Sequence, residues 1–198
     1  DPHEGESIYD PACGTGGMLS VAKEHLLEKA KDEAEREKLD KLTTLYGQEL
    51  QDQNYAICQS DMLIKGDKNS SITCGNSLIP DDETAKERGD QHELDESGKK
   101  RTFDYMLSNP PFGVTWGGKD GYAEKVAKFS KTRYSAGVPR SNDGAYLFLQ
   151  TMIDKMKAPK DGESKIAIVF NGSPLSNGDC GSGESEIRRW ILENDYLD

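Results

Sequence analysis

An α/β fold, a three-layer sandwich of a mostly parallel sheet with helices on both faces, is predicted by two features of the sequence. Runs of strand character alternate with runs of helical spacing along most of the chain. The residues most unusual for their place all follow strand-like runs: Gly14, Thr15, Gly16, Gly17, Glu49, Asn76 and residues 109–112. In an open parallel sheet, ligands bind outside the carboxyl ends of the strands, so this coincidence is a functional signal too.

The elements follow in order. Residues 7–13 open as a strand and run into Gly14-Thr15-Gly16-Gly17. Met18, Leu19, Ala22, Leu26 and Ala30 then recur at helical spacing. Residues 29–41 (KAKDEAEREKLDK) mix both charges and read as a solvated helical extension. TTLYGQEL, 43–50, is a second strand ending in a carboxylate. A helix over 53–65 would place Ala56, Ile57, Ser60 and Leu63 or Ile64 on one side. SITCGNSL, 71–78, is a third strand, and 81–101 is polar and aperiodic, an inserted surface loop. FDYMLS, 103–108, is a fourth strand, stopped by Asn109-Pro110-Pro111. Residues 113–143 read as a long loop of little periodicity, functional or mobile in kind. Helical spacing returns at Ala145, Phe148, Leu149, Met152, Ile153 and Met156, which reads as core. KIAIVFN, 165–171, is a fifth strand, and 184–192 a closing helix.

The 198 residues suit one domain, 1–198, and a chain of this length buries about 70% of its unfolded surface. No run nears the roughly 18 apolar residues that span a bilayer, and DPHEGES at the start has no signal-peptide character. Lys and Arg number 25 against 36 Asp and Glu, a net charge of −11. An autonomous nucleic-acid binder carries a basic footprint, so work on a polyanion would need positive charge from another domain or subunit. Cys13, Cys58, Cys74 and Cys180 form no CxxC pair, and the three histidines lack HxxxH spacing, so no metal site is expected. Reduced thiols in a cytoplasmic protein are the simplest reading. His3, His25 and His92 read as surface residues. Trp116 and the basic stretch 125–133 read equally as a mobile substrate loop able to touch DNA or as an ordinary solvated segment.

Three constellations carry chemistry. Asp10-Pro-Ala-Cys-Gly-Thr-Gly-Gly17 joins a strand to a helix, where glycine allows positive φ and close approach of a ligand. It is neither the dinucleotide fingerprint, which would need glycine where Leu19 stands, nor a P-loop. Taken alone, the glycines equally fit a tight turn without a ligand. Glu49 ends a strand about thirty residues on, where a carboxylate can accept from both hydroxyls of a ribose. Alone it would be a solvated surface Glu; with the glycine turn, the ribose reading wins. In Asn109-Pro110-Pro111-Phe112 the prolines fix φ, remove two donors and push Asn109 out of the helical region. An amide oxygen and a carbonyl can then accept from one NH2 group beside an aromatic face.

Together, DPACGTGG and NPPF resemble the class I S-adenosylmethionine-dependent methyltransferases that modify adenine N6 in DNA, a Rossmann-like family. YDPACGTGGML, YGQEL, GNSL, SNPPFG and IRRWILEND are similar to the modification subunit of type I restriction–modification systems. The resemblance runs from about residue 7 to the C-terminus, interrupted at 81–101. It implies that Asp10, Ala12, Gly14, Thr15, Gly16 and Gly17 hold the methionine part of S-adenosylmethionine. Glu49 would take the ribose, Leu50 the adenine, and Asn76 with Ser77 the adenine amine, where relatives often have Asp in place of Asn76. Asn109 and the Pro110 carbonyl would grip the target amine, with Pro111 holding the turn and Phe112 stacking on the extruded base; Asn109 would also face the cofactor. Cys13 reads as packing. The resemblance further implies a fragment of a longer subunit, with DNA sequence read by a separate specificity subunit and a restriction subunit in the full complex. Two alternatives stay open: a methyltransferase acting on a protein glutamine or an RNA guanine amine, and a non-catalytic S-adenosylmethionine-binding scaffold.

Overall fold

The computed structural model describes all residues except 1–4, 119, 120, 173, 175, 177 and 198. Five parallel strands, β1 (Ser7–Asp10), β2 (Thr44–Glu49), β3 (Ser71–Cys74), β4 (Tyr105–Ser108) and β5 (Lys165–Ile168), make one sheet in the order β3-β2-β1-β4-β5. Ile8 pairs with Leu45 on one side and Tyr105 on the other, so β1 is central. Chain order reverses between β1 and β4, which makes the crevice at their carboxyl ends the switch point where such sheets bind ligands.

The period-two alternation of the strands builds the three layers. Ile8, Leu45, Ile72, Tyr105 and Leu107 face one way and meet α1 (Gly17–Glu28) and α3 (Asp52–Ile64) through Leu19, Ala22, Cys58 and Met62. Tyr9, Tyr46, Met106, Ile166 and Ile168 face the other way and meet Phe103 with Met152 and Met156, in and just beyond α5 (Ala145–Asp154). Helix α6 (Gly183–Glu193) packs Ile187 and Ile191 against Tyr146 and Ile153 of α5. Tyr9 stacks on Phe103 with ring centroids 4.3 Å apart, a contact of roughly 0.5–1.5 kcal/mol beyond area burial. No helix of the described residues is long and apolar enough to cross a membrane.

Several expectations are corrected. The charged stretch after Glu28 is not an extension of α1: residues 29–32 interrupt it and α2 (Glu33–Leu42) starts afresh. The Asp32 side chain caps it by accepting from Glu35 N, with Glu33 and Glu35 in the positive first turn. Helix α3 buries Cys58 and Met62 with Tyr55 beside them, not the aliphatic side; Ile57, Leu63 and Ile64 are exposed. Gly16 is the reason, since a Cβ there would lie 2.6 Å from Cys58 Sγ, and its absence lets the thiol face of α3 close on the turn.

Residues 81–101 are a surface loop only in part. Residues 88–93 run under the sheet face, with Asp90 and His92 buried. His92 is therefore not a surface residue: its Nε2 lies 3.1 Å from the Gly47 carbonyl and its ring stands edge-on to Tyr9 and Tyr46. His25 is exposed, as expected, and His3 lies outside the described residues. The 113–143 segment carries α4 (Ala123–Ala127) and its own core of Trp116, Val126, Phe129 and Tyr134 against Leu78, Ile79 and Leu147. Trp116 and Arg133 are buried, so neither is a solvated loop residue; Lys125, Lys128 and Lys131 are exposed.

Candidate functional site

The strand ends assemble the site. Asp10 closes β1, and its buried Oδ1 accepts from Ala12 N at 2.9 Å and from Ser108 Oγ at 2.8 Å, the last residue of β4. One carboxyl oxygen thus joins the start of the glycine turn to the residue preceding Asn109. Burial pushes Asp10 up to about 7, against the lowering effect of those two bonds, with the Glu49 charge adding to the rise.

Gly14 and Gly16 adopt φ of +56° and +84°, the left-handed region that glycine tolerates best. Gly16 is the N-cap of α1, and no side chain caps that helix nor does any acidic residue stand in its first turn. Its first N–H groups are therefore available to an anionic group. Space is open at the turn, since a Cβ on Gly14 or Gly17 would meet nothing within 4 Å. Thr15 and Gly17 are exposed, Ala12 and Gly14 half-buried.

Glu49 lies across from the turn. Its Oε2 accepts from Gly14 N at 2.9 Å and its Oε1 from Gln51 N at 2.8 Å. A carboxylate offers about four acceptor positions, so capacity remains for two hydroxyls. Leu50 beside it is 51% exposed, an apolar surface at the mouth. Asn76 and Ser77 are buried in the next loop. Asn76 Oδ1 accepts from Leu78 N at 3.1 Å, and Ser77 Oγ donates to the Pro11 carbonyl at 2.6 Å, so Ser77 braces the turn from behind. On the other side of Asp10, Asn109 and Pro111 are exposed, Pro110 buried and Phe112 half-buried. The sequence-predicted residues thus gather at one edge of the sheet.

Ser108 and Arg133 were not expected here. Ser108 was legible as the first letter of SNPPF. Arg133 Nη1 donates to the Ser77 carbonyl at 2.9 Å; it comes from the 113–143 segment, and no spacing in the sequence points to it.

The family model for N-6 DNA methylase matches residues 1–198. The chain belongs to the N-6 DNA methylase family. Its similarity to individual proteins agrees. This methylase chain is 28% identical over 195 residues to the type I restriction enzyme MjaIX methylase subunit of Methanocaldococcus jannaschii, covering 98% of this chain and 29% of that protein. It is 30% identical over 194 residues to the EcoEI methylase subunit of Escherichia coli, covering 98% and 33%. The chain thus spans about a third of the curated relatives it matches. The fold is that of the type I restriction-modification methyltransferase subunit from Streptococcus thermophilus, with a TM-score of 0.68 over 98% of this chain and 35% of that one, at 22% identity. S-adenosylmethionine is the cofactor of this family, and the residues present fit it: an uncapped helix start for its carboxylate, Glu49 for ribose hydroxyls and Leu50 for an apolar ring.

Proposed function

We propose that this chain is the catalytic domain of a type I modification subunit and transfers a methyl group from S-adenosylmethionine to the N6 amine of an adenine extruded from DNA. The observation that carries the reading is the Asp10 carboxyl, which bonds both Ala12 of the glycine turn and Ser108 next to Asn109. It sets the donor side and the acceptor side against each other at the switch point. S-adenosylmethionine supplies the methyl as a sulfonium substituent.

The chain's own residues supply orientation and charge. The adenine amine is a poor nucleophile because its lone pair is delocalised into the ring. The Asn109 side-chain oxygen and the Pro110 carbonyl accept hydrogen bonds from its two N–H groups, favour a tetrahedral nitrogen and stabilise positive charge forming there. Phe112 stacks on the base, offsetting part of the few kcal/mol that extrusion costs. Ser77 and Glu49 keep the turn in register, so the reacting atoms meet with little loss of orientation entropy. With −11 on the chain, sequence reading and most phosphate contact fall to a separate specificity subunit, with a restriction subunit in the complete cytoplasmic assembly.

Mass spectrometry of host DNA for N6-methyladenine, comparing the wild-type gene with Asn109→Ala, tests this. Loss of the mark at one defined sequence is expected. Methyl label on protein or RNA and not on DNA would move the substrate to a glutamine or guanine amine; cofactor binding without any transfer by the complete complex would make the subunit a scaffold.

A further inference from the structure

Behind the glycine turn lies a charge cluster with no part in the chemistry above. Asp90, Arg133 and Lys155 are each at most 3% exposed. Asp90 Oδ2 accepts from Arg133 Nη2 at 2.7 Å and from Lys155 Nζ at 2.9 Å, while Arg133 Nε reaches Asp154 Oδ2 at 3.3 Å. Burial opposes ionisation of Asp90, but the Lys155 and Arg133 charges outweigh it and hold the carboxyl below its usual range. Apolar residues of similar volume often serve stability as well as a buried ion cluster does, so stability alone does not explain this one. What a guanidinium adds is a planar fork of donors with fixed directions.

Those directions are informative. Arg133 Nη1 donates to the Ser77 carbonyl at 2.9 Å, and Ser77 Oγ donates onward to the Pro11 carbonyl at 2.6 Å, inside the turn that follows Asp10. The neighbouring Tyr134 hydroxyl donates to the Leu78 carbonyl at 2.9 Å. The 76–78 loop is thus held on its far side by Arg133 and Tyr134 and on its near side holds the turn. The other contacts of Lys155 lie elsewhere, on the His92 carbonyl at 2.6 Å and over the Tyr9 ring. The two cations share Asp90, and only one touches the loop.

We infer that Arg133 is a positioning residue of the cofactor site, acting through Ser77 on the turn between Asp10 and Gly17. The inference rests on that turn being the S-adenosylmethionine site. Because Arg133 belongs to the segment that follows Phe112, the same bond also ties that segment to the turn.

The test compares Arg133→Met, Arg133→Lys and Lys155→Met in the full-length subunit with its partner subunits, reading the S-adenosylmethionine Kd by calorimetry, KM and kcat by methyl transfer, and Tm. Each methionine removes one buried positive charge and leaves Asp90 with one cation, so a purely structural role predicts matching effects. Arg133→Met is expected to raise the cofactor Kd and KM roughly tenfold or more, the scale of one lost charge-assisted hydrogen bond, with kcat at saturating cofactor within about threefold. Lys155→Met is expected to lower Tm comparably and leave the cofactor Kd within about twofold. Arg133→Lys should recover Tm and not affinity, because one ammonium cannot replace the fork. An unchanged Kd in Arg133→Met, or an equal rise in Lys155→Met, overturns the inference. Should Arg133→Met fail to fold, Arg133→Lys, which keeps a cation on Asp90, carries the test, and an unchanged cofactor Kd in that variant overturns the inference. A wild-type subunit that bound no S-adenosylmethionine would overturn the reading of the turn itself.

Discussion

Ser108 at the end of β4 donates its hydroxyl to Asp10 Oδ1 at the end of β1, 2.8 Å away, across the point where the sheet order reverses. The bond is one of two contacts that lower the Asp10 pKa against burial, which has pushed it up to about 7. In the unfolded chain the same carboxyl ionises near 3.8. Between those values the folded state holds a proton that the unfolded state has lost, so the Asp10 contribution to stability falls as pH rises through that window and is flat above it.

Asp10→Asn keeps an oxygen able to accept from Ala12 and Ser108 and cannot titrate. Its Tm should therefore improve relative to wild type as pH is raised from about 4 to about 7, the difference between the two curves isolating Asp10. Parallel curves would show that Asp10 does not carry the shift. Ser108→Ala removes a lowering contact, so the Asp10 midpoint should move further up, read as an alkaline shift in the pH dependence of cofactor binding.

His92 has the opposite sign. Burial lowers it to about 4 despite the Gly47 carbonyl, so the unfolded chain takes up a proton near 6.5 that the fold refuses. Stability from His92 is present above pH 6.5 and lost as pH falls towards 4. His92→Gln should be less stable at neutral pH by about 1–3 kcal/mol and lose less stability on acidification, measured by urea unfolding at pH 7 and pH 5.

Gly14 and Gly16 separate strain from space. Both have positive φ, so alanine at either costs roughly 1–2 kcal/mol in backbone conformation. Only at Gly16 does the added Cβ also meet Cys58 Sγ at 2.6 Å and Met62 Cε at 3.0 Å. Gly16→Ala should lose a further 1–3 kcal/mol or so through overpacking. Equal Tm values for the two variants would contradict the close approach of α3 to the turn.

Phe112 is half-buried next to the exposed Asn109, so truncating it should change Tm little. Stacking on a base is worth about 1–3 kcal/mol, and Phe112→Ala in the complete complex should raise the KM for DNA roughly fivefold to a hundredfold with the cofactor KM unchanged. A rise in the cofactor KM instead would put this ring on the other side of the site. Steady-state methyl transfer with each substrate varied in turn separates the two.

How far the fold was legible depended on whether burial followed apolarity. It did only in part for α5, where Ala145, Met152 and Ile153 of the expected stripe are buried, Phe148, Leu149 and Met156 are half-buried, and Leu147, off that stripe, is fully buried; the five strands each lie within their expected span. It did not for α3, where a thiol, a thioether and a phenol face the core and the aliphatic residues face water, because that face packs on the sheet and at the same time closes on Gly16 of the turn. Nor did it for residues 88–93. Asp90, Arg133 and Lys155 read as solvated charges one by one, and they become buriable only when three distant segments pair them.

The sequence by itself determined the α/β class, the strand-end motifs and hence the family, because glycines, a strand-end acid and paired prolines act within a few residues of themselves. Only the tertiary structure decided that Ser108 would hold Asp10, that His92 would be buried and neutral, and that Arg133 would reach the back of the glycine turn. Those contacts join residues 98, 45 and 56 positions apart, and no local spacing encodes a partner that only the packed sheet brings within hydrogen-bond reach.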